Sequence, residues 1–273
     1  MLTDITLGQY FPGQSPVHRL DPRTKIIAVL LIISAILLAT NYSCYLVFLL
    51  FILVITWVSG IPFFMLVKSV KPLWMILVIT FLVHVFSTPG NPVAAAGPFT
   101  VTGEGIAQGI LMTGRLMLLI VVSSLLTFTT SPIALTDAIE RLLKPFQRLG
   151  VPAHELAMMM TIALRFIPTL LDETDRIMKA QSARGADFTS GNLVQRSKNM
   201  IPLLVPLFVS AFRRADELAT AMEARCYRGG EQRTRMKELA FTGGDLMAFG
   251  VIVLLLLAVT VLRLNFGASL AAV

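Results

Sequence analysis

The 273-residue chain is poor in charge and poorer still in the side chains that do covalent or metal chemistry. Charged residues make up 14% of it and hydrophobic residues 55%, with a mean hydropathy of +0.76. Soluble domains carry about 25% charged residues, so the composition excludes an ordinary soluble domain and indicates an integral membrane protein. Cysteine occurs twice, at Cys44 and Cys226. The topology implied by the basic residues places them on or near opposite sides of the membrane, so no disulfide between them is expected. The three histidines, His18, His84 and His154, stand far apart, and there is no H-E-x-x-H, no G-x-S-x-G and no G-x-x-x-x-G-K-[ST]. The chain therefore offers no zinc-protease site, no hydrolase elbow, no P-loop for ATP and no cofactor site. His84, alone in an apolar run, reads as a packed residue. The opening MLTDITLGQY is too polar for a signal peptide, so the chain is expected to insert by its own first span.

Two loops lack Lys and Arg altogether, Thr40 to Ser43 and Pro89 to Thr102. Basic residues gather elsewhere: Arg19, Arg23 and Lys25 before the first apolar run, Lys68 and Lys71 after the second, and Arg141, Lys144, Arg148 and most of the remainder after the fourth. Positive charge marks cytoplasmic loops. The pattern therefore predicts a multi-pass protein of the cell membrane with a cytoplasmic N-terminus, a large cytoplasmic portion after span four and an external C-terminus. Arg263 alone runs against it. The net charge of +7 follows from this topology and calls for no nucleic acid.

Polar turn residues fill Gly8 to Lys25, where Asp21-Pro22 is a helix-start signal. Apolar runs then predict spans at Ile26 to Ala39, Cys44 to Ser59, Leu73 to Thr88, Ile106 to Thr129 and Leu246 to Leu264. The first two are shorter than a straight span and read as a tight hairpin. Pro89 to Thr102 reads as a Pro/Gly/Ala loop. Gly105 and Gly109 form a small-residue face suited to close helix approach. Arg115 is placed near a span end, where it can snorkel; Arg165 is expected to pair with Asp172 or Glu173. Ser131-Pro132 opens an amphipathic helix. The fold class is an all-α integral membrane protein with about five transmembrane helices plus long cytoplasmic helices. Its expected divisions are a cytoplasmic N-terminal segment at 1–25, a four-span bundle at 26–130, a cytoplasmic region at 131–240, and a last span with an external C-terminus at 241–273.

The organising stretch lies within that cytoplasmic region. DETDRIMKAQSARGADF (Asp172 to Phe188) and RRADELATAMEARCYRGG (Arg213 to Gly230) align, with Asp175 on Asp216, Ala180 on Ala221 and Ala183-Arg184 on Ala224-Arg225. Neither contains Gly or Pro before Gly185 or Gly229, and both read as helix up to those glycines. Each rises from an apolar foot, LAMMMTIALRFIPTLL and MIPLLVPLFVSAF, broken by Arg165, Pro168, Pro202 and Pro206. Gly185 is expected to end the first helix. The second is expected to run on through Cys226-Tyr227-Arg228, with Gly229-Gly230 as terminator. An arginine near each end complements the helix dipole, and its planar fork suits carboxylates and backbone carbonyls in a partner's groove. As capping cations alone, Arg184 and Arg225 would be solvated surface residues; their duplication favours paired arms. Asp175 and Asp216, though matched, read as caps or solubilising groups rather than a carboxylate pair.

The N-terminal GQYFPGQSPVHRLDPRTK, the ALRFIPTL run and above all SARGADF and AMEARCYRGG resemble the transmembrane T component of energy-coupling factor (ECF) transporters, over nearly the whole chain. The resemblance implies a non-catalytic scaffold that joins two cytoplasmic ABC-type ATPases to a membrane S component capturing a vitamin or other micronutrient. It implies that Ala183-Arg184-Gly185 and Ala224-Arg225-Cys226 are the two ATPase-coupling motifs on cytoplasmic coupling helices. Cys226 departs from the family's usual Gly. The unlike tips, ARGADF and ARCYRG, suit a heterodimer of ATPases. The competing classes are a stand-alone secondary transporter and an intramembrane enzyme. The first is disfavoured because the internal repeat lies in the arms; the second, because no polar groups converge at membrane depth. The substrate is not encoded in this chain, since in the family the S component selects it.

Overall fold

The computed structural model describes residues 10–96, 99–186, 188, 192–227, 229 and 240–270. The chain divides into two units: among the described residues, one spans 10–138 and 240–270, the other 139–229. In the first unit a short helix α1 (Pro16–Arg19) leads to α2 (Pro22–Leu38). Asp21 caps α2, its carboxylate accepting the Arg23 N–H at 2.9 Å, and Pro22 fills the first helical position, where no N–H is needed. Next comes α3 (Tyr42–Ser59), which ends on Gly60 at φ 68°. α4 (Phe63–Val70) and α5 (Trp74–Ser87) come after it, joined by a 3-10 turn at Lys71–Leu73. Pro72 lacks the N–H that would carry the α ladder through that turn. Together they form a 25-residue span, Phe63–Ser87. Expected to begin at Leu73, this span instead carries Lys68 and Lys71 within its first turns.

The segment expected to be a loop pairs into a hairpin. β1 (Pro92–Ala96) and β2 (Phe99–Thr102) are antiparallel, with Ala94 opposite Val101 and Ala96 opposite Phe99. Thr102 then caps α6 (Gly103–Thr129): its Oγ1 accepts the Gly105 N–H at 3.0 Å and donates to the Thr88 carbonyl at 2.9 Å. α5 and α6 touch through the expected small-residue face. A Cβ on Gly105 would lie 2.8 Å from the Val85 carbonyl oxygen, and one on Gly109 would meet the Phe81 ring at 3.1 Å. The chain continues through α7 (Pro132–Leu143), α8 (Ala153–Ala183), α9 (Leu193–Asn199), α10 (Ile201–Ala224) and α11 (Gly243–Leu270).

Ile36, Cys44 and Phe48 are fully buried, packed with Leu118, Val122, Leu125 and Phe128 of α6 and with Leu255 and Val259 of α11. Trp57, Phe64, Leu246 and Leu254 instead point outward. Such an apolar exterior on helices whose backbone groups are satisfied internally is the arrangement that lipid requires. Among the described residues, five helices are long and apolar enough to cross a membrane: Tyr42–Ser59, Phe63–Ser87, Gly103–Thr129, Ala153–Ala183 and Gly243–Leu264. The chain is an all-α integral membrane protein. The number matches the expectation; the membership does not. α2 has 17 residues and is not among them, while α8 is, with the lowest mean hydropathy of the five, 1.2.

Polar contacts brace this unit at two levels. Lys25, buried at the start of α2, donates from Nζ to the Thr129 carbonyl at 2.9 Å and the His18 carbonyl at 3.0 Å. Asp245, buried in the first turn of α11, accepts the Asp21 N–H at 2.7 Å through Oδ1, and the Thr242 N–H and hydroxyl through Oδ2 at 2.8 Å each. The Asp245 carboxylate reaching back to the Thr242 N–H is one half of a capping box, and the T-x-x-D spacing just before the last apolar run is readable in the sequence. Arg115, expected near a span end, sits well inside the 27-residue α6. Its Nε donates to the Tyr45 hydroxyl at 2.8 Å and its Nη2 to the Ala39 carbonyl at 2.9 Å. Tyr45 donates to that same carbonyl at 2.8 Å. Arg115 thus holds the turn between α2 and α3 through two oxygen acceptors. His84 bonds locally, its Nδ1–H donating to the Thr80 carbonyl at 2.9 Å.

Candidate functional site

The second unit is built on α8 and α10. Each has an apolar N-terminal part with an internal proline, Pro168 or Pro206, and a charged C-terminal part. Arg214 of α10 pairs with Glu173 of α8 at 3.5 Å. Farther along, the Tyr227 hydroxyl, just past α10, reaches Met158 Sδ at 3.0 Å, near the start of α8. Moving forward on α10 therefore means moving backward on α8. The two helices are antiparallel, and their arginine ends point in opposite directions. Met158 to Arg184 along α8 is roughly 40 Å at 1.5 Å per residue, which measures the separation of the tips.

The tips close in the same way. Arg184 and Arg225 are the C-cap residues of α8 and α10. After Arg184, the Gly185 N–H bonds the Ser182 carbonyl and the Ala186 N–H bonds the Gln181 carbonyl, each at 3.0 Å. After Arg225, the Cys226 N–H bonds the Glu223 carbonyl at 2.8 Å and the Tyr227 N–H bonds the Met222 carbonyl at 3.0 Å. Both are Schellman closures, which satisfy the last carbonyls and require a left-handed residue just beyond the cap. Gly185 supplies it at φ 88° and Cys226 at φ 58°. The expectation that the second helix runs on past Arg225 is therefore corrected: α10 stops at Ala224, and Cys226 takes the place of the glycine. Gly229, at φ 91°, lies beyond that stop, while Arg228 and Gly230 are outside the described residues.

Ala183, Arg184, Gly185, Ala224, Arg225 and Cys226 are all exposed. Among the described residues no ion pair engages Arg184 or Arg225. Farther down the arms, Asp175 pairs with Lys179 one turn on, and Arg213 lies 3.8 Å from Glu217. Asp216 has its carbonyl capped by the Thr220 hydroxyl at 2.9 Å. The matched carboxylates are thus not brought together. Glu173 pairs with Arg214 rather than with Arg165, which is exposed.

One constellation escaped the sequence. His154, in the first turn of α8, places Nδ1 3.1 Å from Glu140 Oε1 of α7, and its Nε2 lies 3.4 Å from the Tyr227 hydroxyl. Single residues of ordinary type, 14 and 73 positions apart, carry no local signal.

Fold and site define a class: an all-α integral membrane protein bearing two like helices that end in exposed Ala-Arg tips. Residues 13–236 match the CbiQ family, described as cobalt transport protein. Relatives named energy-coupling factor transporter transmembrane protein EcfT include one from Acidaminococcus fermentans, 58% identical over 263 residues, covering 96% of this chain and 98% of that protein. Another, from Bacillus subtilis, is 50% identical over 246 residues, covering 90% and 93%. The chain belongs to this family, the transmembrane T components of ECF transporters. It is a transport component that works in a complex with other subunits.

Proposed function

We propose that this T component couples two cytoplasmic ABC-type ATPases to a membrane S component, with Arg184 and Arg225 as the contacts to the ATPases. The observation that carries this reading is the matched pair of tips: two exposed arginines, each on an Ala-Arg cap, each followed by the same left-handed closure. Two like anchors at opposite ends of an antiparallel pair suit two separate, homologous partners better than one. An arginine seated in a groove would offer five donors in a fixed fork. The unlike residues after the caps, Gly185-Ala186 and Cys226-Tyr227, favour two non-identical ATPases. ATP-driven motion of the ATPases would be carried along α8 and α10, whose apolar feet meet the membrane. Hydrolysis belongs to the partners, and uptake of a vitamin or other micronutrient to the S component they drive.

This reading places residues 131–240 and the N-terminus in the cytoplasm of a cell-membrane protein, as the distribution of Lys and Arg favours. The experiment is purification of the tagged chain from its own membranes in mild detergent. Stoichiometric ATP-hydrolysing subunits support the proposal. A chain that purifies alone and transports with an ion gradient, or turns over a substrate by itself, contradicts it.

A further inference from the structure

The two tips are alike up to the cap and diverge beyond it. The residue that completes the Schellman closure is Ala186 on the first arm and Tyr227 on the second. Ala186 has only a methyl group and no polar atom with which to reach another element. Tyr227 does reach: its hydroxyl contacts Met158 Sδ at 3.0 Å and His154 Nε2 at 3.4 Å, and His154 continues to Glu140. The His154 and Glu140 side chains are only 16% and 15% exposed, so water competes poorly for these contacts. A carboxylate on Nδ1 selects the tautomer with its proton there. Nε2 is then an acceptor, and the phenol can donate either to it or to the methionine sulfur. A doubly protonated ring keeps the same geometry, donating to both Glu140 and the Tyr227 oxygen. The link thus joins the end of α10, the first turns of α8 and the end of α7 in either state.

The first tip has no counterpart to this link among the described residues. α8 runs on about 16 Å past the Glu173–Arg214 pair before reaching Arg184. Motion of the second end must break a relay through three elements.

We propose that Tyr227, acting through His154, Met158 and Glu140, is a positioning residue that anchors the second tip to the corner between α7 and α8, making the second arm the fixed arm of coupling and the first the moving one. The proposal rests on the tips being the ATPase contacts. It deepens that reading by assigning unequal roles to two ends that look equivalent in sequence.

The test uses the assembled complex with a Cys-free T component carrying paired spin labels. One label replaces Leu149, exposed in the turn between α7 and α8; the second replaces either Glu223 on the second arm or Lys179 on the first. Distances are read without nucleotide and with a non-hydrolysable ATP analogue. The expected result is a 149–223 distance that stays within the width of its distribution and a 149–179 distance that shifts by several ångström. Tyr227→Phe, which keeps the ring and removes the hydroxyl, should broaden the 149–223 distribution and lower the response of 149–179 to nucleotide. His154→Ala should do the same, and the double variant no more than either, because both break one relay. Equal shifts of both distances, or a Tyr227→Phe complex indistinguishable from the parent, would overturn the proposal. Failure of the coupling reading itself shows separately, as loss of co-purifying ATPase from the unsubstituted chain.

Discussion

Cys226 adopts the backbone conformation of Gly185 at the matched place on the second arm, with φ 58° against 88°, although only Gly185 lacks a Cβ. Each donates its N–H to the carbonyl three residues back, Ser182 or Glu223, and each lets the following N–H close on the carbonyl before that one. The arm geometry therefore does not depend on glycine. It is reached at the second tip against a steric cost, since a left-handed L-residue brings its Cβ close to the next carbonyl oxygen.

That cost gives a sign to two substitutions. Cys226→Gly should stabilise the second tip by up to about 1 kcal/mol, and Gly185→Ala should destabilise the first by about 1 kcal/mol. Thermal melts of the purified complex, with hydrogen exchange at the two tips, would check both. A Cys226→Gly protein that melts lower than the parent would mean that the helix end is held by something other than the Schellman closure.

The sequence made one arm legible and misread the other for a definite reason. Gly185 announces a helix stop because only glycine takes positive φ freely, whereas Cys226 carries no such mark and is compatible with continued helix. The pairing of Ala183-Arg184 with Ala224-Arg225 was readable because a repeated pattern survives without contacts. Asp21-Pro22 and the close approach at Gly105 and Gly109 were readable because each signal is local. The relay from Tyr227 to Glu140, the Arg115 clamp on the Ala39 carbonyl and the hold of Lys25 on the Thr129 carbonyl join residues 70 or more positions apart in at least one contact each. Nothing in their neighbourhoods points to them. The antiparallel course of α8 and α10 likewise follows from two side-chain contacts that composition cannot reveal.

His18 should make the N-terminal segment sensitive to acid. Its Nε2 lies 3.0 Å from the Phe11 carbonyl and so carries the proton, leaving Nδ1 to accept from the Ser15 hydroxyl at 2.7 Å. Burial, aided by nearby Lys25 and opposed by the Phe11 bond, pushes its pKa below the ordinary 6.5. The unfolded segment then binds the proton more readily than the folded one, so stability rises with pH through this range. It is present above about 6.5 and lost as the pH falls through the lower folded value. Hydrogen exchange over residues 10–25, corrected for the intrinsic pH dependence, should show protection at pH 7.5 that falls by pH 5. His18→Gln should flatten that difference.

Arg115 should be intolerant even of lysine. Its fork serves the Ala39 carbonyl and the Tyr45 hydroxyl at once, which a single ammonium cannot reproduce. Removing a charged donor from such acceptors costs about 1.5–3 kcal/mol. Arg115→Leu should lower the melting temperature of the detergent-solubilised protein clearly, and Arg115→Lys by part of that. Tyr45→Phe should be non-additive with either. Additive effects would show that the two residues act independently.

Membrane orientation is open to thiol labelling. In a Cys-free background, a single cysteine at Asn91 should react with a membrane-impermeant reagent in intact cells. Native Cys226, alone, should react only after the membrane is opened. Labelling of Cys226 from outside sealed cells would reverse the topology.

The central claim is that Arg184 and Arg225 each seat in an ATPase. As interface anchors, each should cost at least about 2 kcal/mol on truncation, or roughly 30-fold in affinity. Retention of ATPase subunits on the tagged, affinity-purified chain measures this directly, for Arg184→Ala, Arg225→Ala and the double substitution. The account predicts partial loss for each single variant and near-complete loss for the pair, with the chain still inserted in the membrane at the parental level. A double variant that keeps both ATPases at parental stoichiometry would contradict it.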